Sequence, residues 1–149
     1  MITKRNTHCE QLSDQLQWYH IKPTYQRLKI LEYLAAKRIH PTAGHIYRDL
    51  VKHIPTMSKT TVYNTLKSFV GKGIVAPVMI AGTETRFEYA RKPHPHFFCE
   101  NCCSIMDIDI DCPPVLKKTV AGHTIKEQHS YFKGICASCR KKESEYAKV

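Results

Sequence analysis

The sequence predicts an α+β chain built in two parts, and three observations predict it. Apolar residues recur at helical spacing as far as Val70, the period then changes to that of strands, and two C-x-x-C pairs bracket the last third. A chain of 149 residues suffices for one ordinary domain or two small ones. Its hydrophobic content of 42% is that of a globular protein, which removes disorder as the default.

Leu12, Leu16 and Tyr19 stand at i, i+4 and i+7 and predict a short amphipathic helix ended by Pro23. Thr24 caps a second helix carrying Leu28, Leu31 and Leu34, which runs out near Lys37–Pro41. Thr42 caps a third with Ile46 and Leu50 facing inward, stopped around Ile54–Pro55. Ser58 caps a fourth from Lys59 to about Val70, ended by Gly71 and Gly73. Ile74–Ile80 and Thr85–Tyr89 then read as two strands around Ala81–Glu84. Helices followed at once by a hairpin predict a winged helix-turn-helix over residues 1–89.

Ala90–Pro95 has the composition of a hinge linker: two prolines, two cations and no apolar anchor. Residues 96–149 are expected to form a small α/β unit. Cys103–Asp111 reads as a strand with one acidic face, Pro113–Pro114 as the start of a short helix through Val120, His123–Phe132 as a further strand, and a charged helix ends the chain. A unit of this size needs a staple.

Cys99-Glu100-Asn101-Cys102 and Cys136-Ala137-Ser138-Cys139 supply one. Two residues between thiolates let both sulfurs face one ion, and two such pairs complete a tetrahedral Cys₄ site for Zn²⁺. Having no open coordination position, the site is structural rather than catalytic. Cys103 follows Cys102 directly, but Cys102 keeps the two-residue spacing; Cys9, Cys103 and Cys112 read as ordinary thiols. Seven cysteines, an odd number, together with nine histidines, favour metal ligation in a reducing compartment over a disulfide framework.

A net charge of +10 and a pI near 9.3 call for a polyanionic partner, nucleic acid first and an anionic membrane second, with plain solubility as the bland reading. No run approaches the roughly 18 apolar residues of a membrane span. The polar N-terminus lacks an apolar signal core, so the chain is expected in the cytoplasm. Val62, Leu66, Phe69 and Val70 stripe one side of the fourth helix, while Thr60, Tyr63, Asn64 and Lys67 line the other with groups that bond phosphates and base edges. Ser58 and Thr61, at its start, complete the candidate DNA-contacting set. A merely solvated face is the alternative, and the flanking capped helix, hairpin and basic charge weigh against it.

At Pro41-Thr42-Ala43, Met57–Leu66, Arg86-Phe87-Glu88, His94–Cys102 and Gly134–Cys139, the chain resembles the ferric uptake regulator family, in matching order from about Pro23 to Cys139. The resemblance implies a homodimeric winged-helix repressor, not an enzyme, acting on palindromic double-stranded DNA without a membrane. It also implies a regulatory site for Fe²⁺ or Mn²⁺, with Zn²⁺ possible there. Carried over by position, its ligands are His40, Glu88, His94, His96 and Asp107. Their places support this: His40 precedes a helix, Glu88 closes the wing, His94 and His96 flank Pro95 in and after the linker, and Asp107 opens the acidic strand. A metal holding all five would set the angle between the two parts, and so the spacing of two recognition helices.

Within the family, Pro93 and Pro95 stand where iron-sensing members carry ligands of a further metal site, and Gln128 stands for its histidine, with His129 adjacent. Asp107 replaces the glutamate of iron-responsive members. Both features are similar to the peroxide-responsive branch, whereas Glu88 stands where that branch usually has aspartate. An iron-, manganese- or zinc-uptake regulator is therefore the runner-up. A zinc-thiolate redox switch or a zinc-ribbon interaction module comes behind it. A zinc deaminase is excluded because His94-Pro95-His96 lacks the His-x-Glu that such an enzyme needs.

Overall fold

The computed structural model describes residues 4–36, 39–80, 84–90, 94–110, 118–126 and 128–146. The chain divides into two compact units, Met1–Arg91 and Lys92–Val149.

In the first unit, α1 (Lys4–Trp18), α2 (Tyr25–Ala36), α3 (Ala43–Leu50) and α4 (Lys59–Gly71) precede the hairpin β1 (Val75–Val78) and β2 (Arg86–Tyr89). The core follows the periodicity of the sequence. Leu12 and Leu16 of α1, Ile30, Leu31 and Leu34 of α2, Ile46 of α3, and Val62, Leu66 and Phe69 of α4 bury together with Ile74 and Val75.

Local chemistry closes the helices. α1 ends with His20 in the left-handed region (φ 56°), where its N–H donates to the Gln17 carbonyl and the Ile21 N–H to Leu16. Thr42 caps α3, accepting from the His45 N–H at 3.1 Å, and the His45 ring accepts in turn from the Thr42 N–H. α4 stops at Gly73 (φ 74°), whose N–H reaches Val70 O while Ile74 N–H reaches Phe69 O. Only a residue tolerant of positive φ closes both bonds.

β1 and β2 pair antiparallel, Ala76 opposite Glu88. The wing is then tied to the segment between α2 and α3: Thr42 bridges Arg86, and the Phe87 N–H donates to Pro41 O at 2.9 Å. At its other edge, the Tyr89 hydroxyl donates to Gln15 Oε1 at 2.6 Å, fastening the wing to α1.

In the second unit, β3 (His96–Cys99), β4 (Ile105–Asp107) and β7 (Tyr131–Gly134) form a sheet in the order β4-β3-β7. β4 runs antiparallel to β3, with His96 opposite Asp107 and Phe98 opposite Ile105, and β7 runs parallel to it, with Cys99 opposite Gly134. β5 (Thr119–Val120) and β6 (His123–Thr124) make a separate hairpin, and α5 (Ala137–Tyr146) closes the chain.

Here the sequence expectations need correction. The short helix expected through Val120 is, at Thr119–Val120, a strand; its opening at Pro113–Pro114 lies outside the described residues. The turn Ala121-Gly122, both at positive φ, folds β5 onto β6 instead. Among the described residues, the strand expected over His123–Phe132 is found only at its two ends, as β6 and the start of β7, which belong to different sheets. The strand expected from Cys103 to Asp111 is, among the described residues, confined to Ile105–Asp107, because Cys103 takes a left-handed turn conformation (φ 56°) and pairing with β3 ends at Asp107; Asp111 lies outside the described residues. The central strand β3 itself was not expected, because His-Phe-Phe-Cys between prolines and a cysteine knuckle carries no alternation.

Phe69 is fully buried at the centre of the first unit. Phe69→Ala is expected to cost about 3–5 kcal/mol of stability in urea unfolding followed by circular dichroism. A loss below about 1 kcal/mol would show that this helix face does not carry the core.

Candidate metal centres and nucleic-acid interface

Four sulfurs converge because of one strand pairing. Cys99 ends β3, Cys136 follows β7 by two residues, and the β3–β7 register sets Cys99 beside Gly134. The Glu100 N–H donating to Gly134 O at 2.8 Å continues that register into the first knuckle. Cys102 lies in the following turn and Cys139 in the first turn of α5. The four Sγ atoms all lie within 4.8 Å of one another, with Cys102 and Cys136 3.9 Å apart. A tetrahedral Zn²⁺ with S–Zn bonds of roughly 2.3 Å has edges of about 3.8 Å, so the four residues fit it.

The hydrogen bonds fit thiolates. The Cys136 N–H donates to Cys99 Sγ at 3.3 Å and the Cys139 N–H to Cys136 Sγ at 3.4 Å. Backbone N–H donors from Cys102 and Cys136 hold the Cys99 thiol down at about 6. The Ser104 side chain and backbone lower Cys102. Cys139 is pushed up to about 12, first by its bond to the Cys136 sulfur and then by burial. Four like charges this close repel, so without a cation part of the set keeps its protons; an ion stabilises all four thiolates and releases those protons. Cys103 is exposed and outside the set; the side chain of Cys9 and the whole of Cys112 lie outside the described residues.

The other expected metal ligands stand in two groups, one in each unit. In the first, His40 Nε2 meets Glu88 Oε2 at 3.2 Å. His40 is buried to 1% exposure with a left-handed backbone (φ 47°). The Arg86 guanidinium donates to its carbonyl at 3.4 Å, and the wing bonds at Pro41 and Thr42 hold the two residues that follow it. The wing's grip on the adjoining residues supports this rarer backbone conformation. In the second, His94 Nε2 and His96 Nε2 approach the same oxygen, Asp107 Oδ1, at 3.1 and 3.8 Å. Their rings lie 4.6 Å apart. The cross-strand pair His96–Asp107 places one imidazole, and the Ile108 N–H bonded to Pro95 O brings the preceding loop, and with it His94, to the same carboxylate. Sequence spacing shows neither Arg86's hold on His40 nor the sharing of one oxygen by two histidines.

On α4, Thr60, Tyr63, Asn64 and Lys67 are exposed along one face and Val62, Leu66 and Phe69 are buried, as expected; Tyr63 is 53% exposed despite its size. Val70 is half-buried, and Thr65 joins the buried side. Ser58 and Thr61 are engaged with each other. Ser58 Oγ accepts from the Thr61 N–H at 3.0 Å and lies 2.8 Å from Thr61 Oγ1, so their first duty is to cap α4. Among the described residues, no helix is long and apolar enough to cross a membrane.

The chain matches the model of the ferric uptake regulator family over residues 19–133. It is 36% identical over 127 residues to the peroxide operon regulator of Bacillus subtilis, covering 83% of this chain and 88% of that protein. Among solved structures, it is similar to PerR from Streptococcus pyogenes, described for peroxide sensing and gene regulation, with TM-score 0.51 and 31% identity over 88% of this chain and 92% of that one. It is also similar to the Vibrio cholerae ferric uptake regulator, with TM-score 0.68 and 27% identity over 83% and 98% of the two chains.

Because Ser58 closes the first turn of α4, Ser58→Ala is expected to lower stability by about 1 kcal/mol in urea unfolding. Ser58→Asp, which keeps an acceptor, should retain most of it.

Proposed function

The chain belongs to the ferric uptake regulator family, and from that premise we propose that it is a cytoplasmic, homodimeric, metal-dependent repressor, not an enzyme, that releases its operator when peroxide oxidises a regulatory metal site. The observation that carries the reading is the convergence of His94 and His96 on one oxygen of Asp107. Two imidazoles sharing a short carboxylate form an incomplete coordination set, and His40 with Glu88 forms another. One ion taking donors from both sets would have three nitrogens and two carboxylates, a mixture suited to Fe²⁺, Mn²⁺ or Zn²⁺. It would also bias the orientation of the two units, and a dimer fits two half-sites one helical turn apart in only one such orientation.

The parts divide the work. Cys99, Cys102, Cys136 and Cys139 hold Zn²⁺ and close the second unit. Tyr63 and Asn64 read base edges of a palindromic duplex, with Thr60 and Lys67 on phosphates and Ser58 and Thr61 at the head of the helix. A second copy covers the exposed apolar side chains of the second unit, among them Ile110, Val120, Tyr131, Phe132 and Ile135. Fe²⁺, when bound by these residues, would supply the electron that reduces peroxide. The side chains set to receive the resulting oxidant are the imidazoles of His40, His94 and His96. The short Asp107 leaves room for peroxide that a longer carboxylate would take. Oxidation of one imidazole carbon removes a donor and loosens the clamp. Glu88 favours the second reading, a plain metal-uptake regulator that uses the same residues without oxidation.

The test is metal analysis and DNA binding of protein purified without oxygen, using duplexes selected from a random-sequence pool. One exchangeable ion should be needed for binding, its chelation should abolish binding while zinc stays, and peroxide should release DNA from the Fe²⁺ form but not the Mn²⁺ form. Mass spectrometry should place a one-oxygen gain on His40, His94 or His96, reduced in Asp107→Glu. Oxidation confined to cysteines with zinc release would favour a thiolate switch, and identical release with Mn²⁺ would leave the uptake regulator. Separately, Cys136→Ser should lose zinc, unfold the second unit and yield monomer, since a structural zinc contributes on the order of 10–16 kcal/mol. A folded, zinc-free dimer would overturn that role.

A further inference from the structure

Lys59, at the first position of α4, was not among the residues expected to meet DNA, yet it is exposed and its Nζ lies 5.7 Å from the centre of the Tyr47 ring on α3. This is cation–π distance. The charge environment separates this lysine from others. Among the described residues, Lys29 and Lys133 also lie near a ring, Tyr25 at 5.9 Å and Phe98 at 5.8 Å, but each meets a neutralising carboxylate as well, Glu32 at 2.6 Å and Glu100 at 3.4 Å; Lys52 meets Asp49 at 3.6 Å. α4 carries no acidic residue at all, and Lys59 is matched with a ring.

The difference matters for binding a polyanion. A carboxylate cancels the ammonium charge and must be displaced before a phosphate can take its place. A ring face restrains the ammonium without cancelling its charge, and leaves N–H donors on the side away from the ring to point outward. Lys59 also extends the exposed face of Thr60, Tyr63, Asn64 and Lys67: positions 59, 63 and 67 recur every fourth residue along one side of the helix. Tyr47 is half-buried and packs against the core of the first unit, so its ring is a fixed platform. A lysine on a flexible stem loses side-chain entropy on meeting phosphate, and a platform that already restricts the stem reduces that loss.

Resting on the reading of α4 as the DNA-contacting helix, we propose that Lys59 is a phosphate contact of this protein and that Tyr47 is its positioning residue, holding the ammonium at the head of α4 without neutralising it. Because the contact is to backbone, it acts on duplex DNA of any sequence.

The experiment measures affinity for a mixed-sequence duplex against salt, using the zinc-replete protein with Mn²⁺ added. Lys59→Gln should lower the log–log salt slope by about 0.9 per protomer, the value of one phosphate neutralised. Tyr47→Leu should weaken binding at fixed salt in the wild-type background and have no further effect in Lys59→Gln, while Tyr47→Phe, which keeps the ring, should bind like wild type. An unchanged slope in Lys59→Gln, with Lys67→Gln still lowering it, overturns this proposal and leaves the DNA-binding reading standing. An equal loss from Tyr47→Leu in both backgrounds overturns the positioning role, since a merely structural ring would act that way. Salt-insensitive association of the wild type removes the DNA-binding reading itself. Lys59 is exposed, so Lys59→Gln decides the matter even if Tyr47→Leu fails to fold.

Discussion

The parallel pairing of β3 with β7 organises the second unit, and it brings four sulfurs together at one end. Parallel strands cannot be joined by a tight turn, and here the connection from β3 to β7 passes through β4 and the β5–β6 hairpin. The closure entropy of such a connection opposes the pairing. Little apolar burial offsets it: among the described residues of this unit, the buried hydrophobic side chains are Phe98, Ile105, Cys99 and Cys136. Two of the four are sulfur ligands. In the proposed reading a zinc centre takes the place of a core, which a unit of this size has too little surface to build.

The first unit solves the same problem by burial. Its helices share one core from Leu12 to Val75, and its polar contacts, Tyr89 with Gln15 and Phe87 with Pro41, orient the wing rather than hold the fold together. That division leaves room for strain at one place. His40 keeps a left-handed backbone and a buried imidazole, held by the Arg86 guanidinium on its own carbonyl and by the wing's bonds to Pro41 and Thr42, which follow it. Residues held this way are suited to a site whose geometry must change little until chemistry changes it.

The two kinds of donor also keep two metal chemistries apart. Four clustered thiolates, two of them accepting from backbone N–H donors, suit a structural Zn²⁺ that neither exchanges readily nor takes part in redox steps. Imidazole and carboxylate groups suit exchangeable divalent ions. In the proposed reading, a single chain can be stable in one metal and responsive in another because the donors, rather than the fold, discriminate.

The sequence by itself determined four helices, the caps of α3 and α4, the exposed face of α4, the wing and the identity of the four sulfurs. Each of these rests on local information: a period of 3.6, a hydroxyl before an apolar run, a glycine after it, two residues between cysteines. The end of α1, expected at Pro23, lies at Trp18, closed by the left-handed His20. The second unit was legible only at its metal knuckles. Its strands are two to four residues long, too short for alternation to register, and β3 and β7 pair across more than thirty residues of chain. Tertiary structure alone decided that His94 and His96 share one oxygen of Asp107, that Arg86 and the wing hold His40 to Glu88, and that Tyr47 restrains Lys59. Those contacts depend on strand register and on helix packing. Both are set by the sum of many weak interactions across the chain, and no single stretch of sequence contains them.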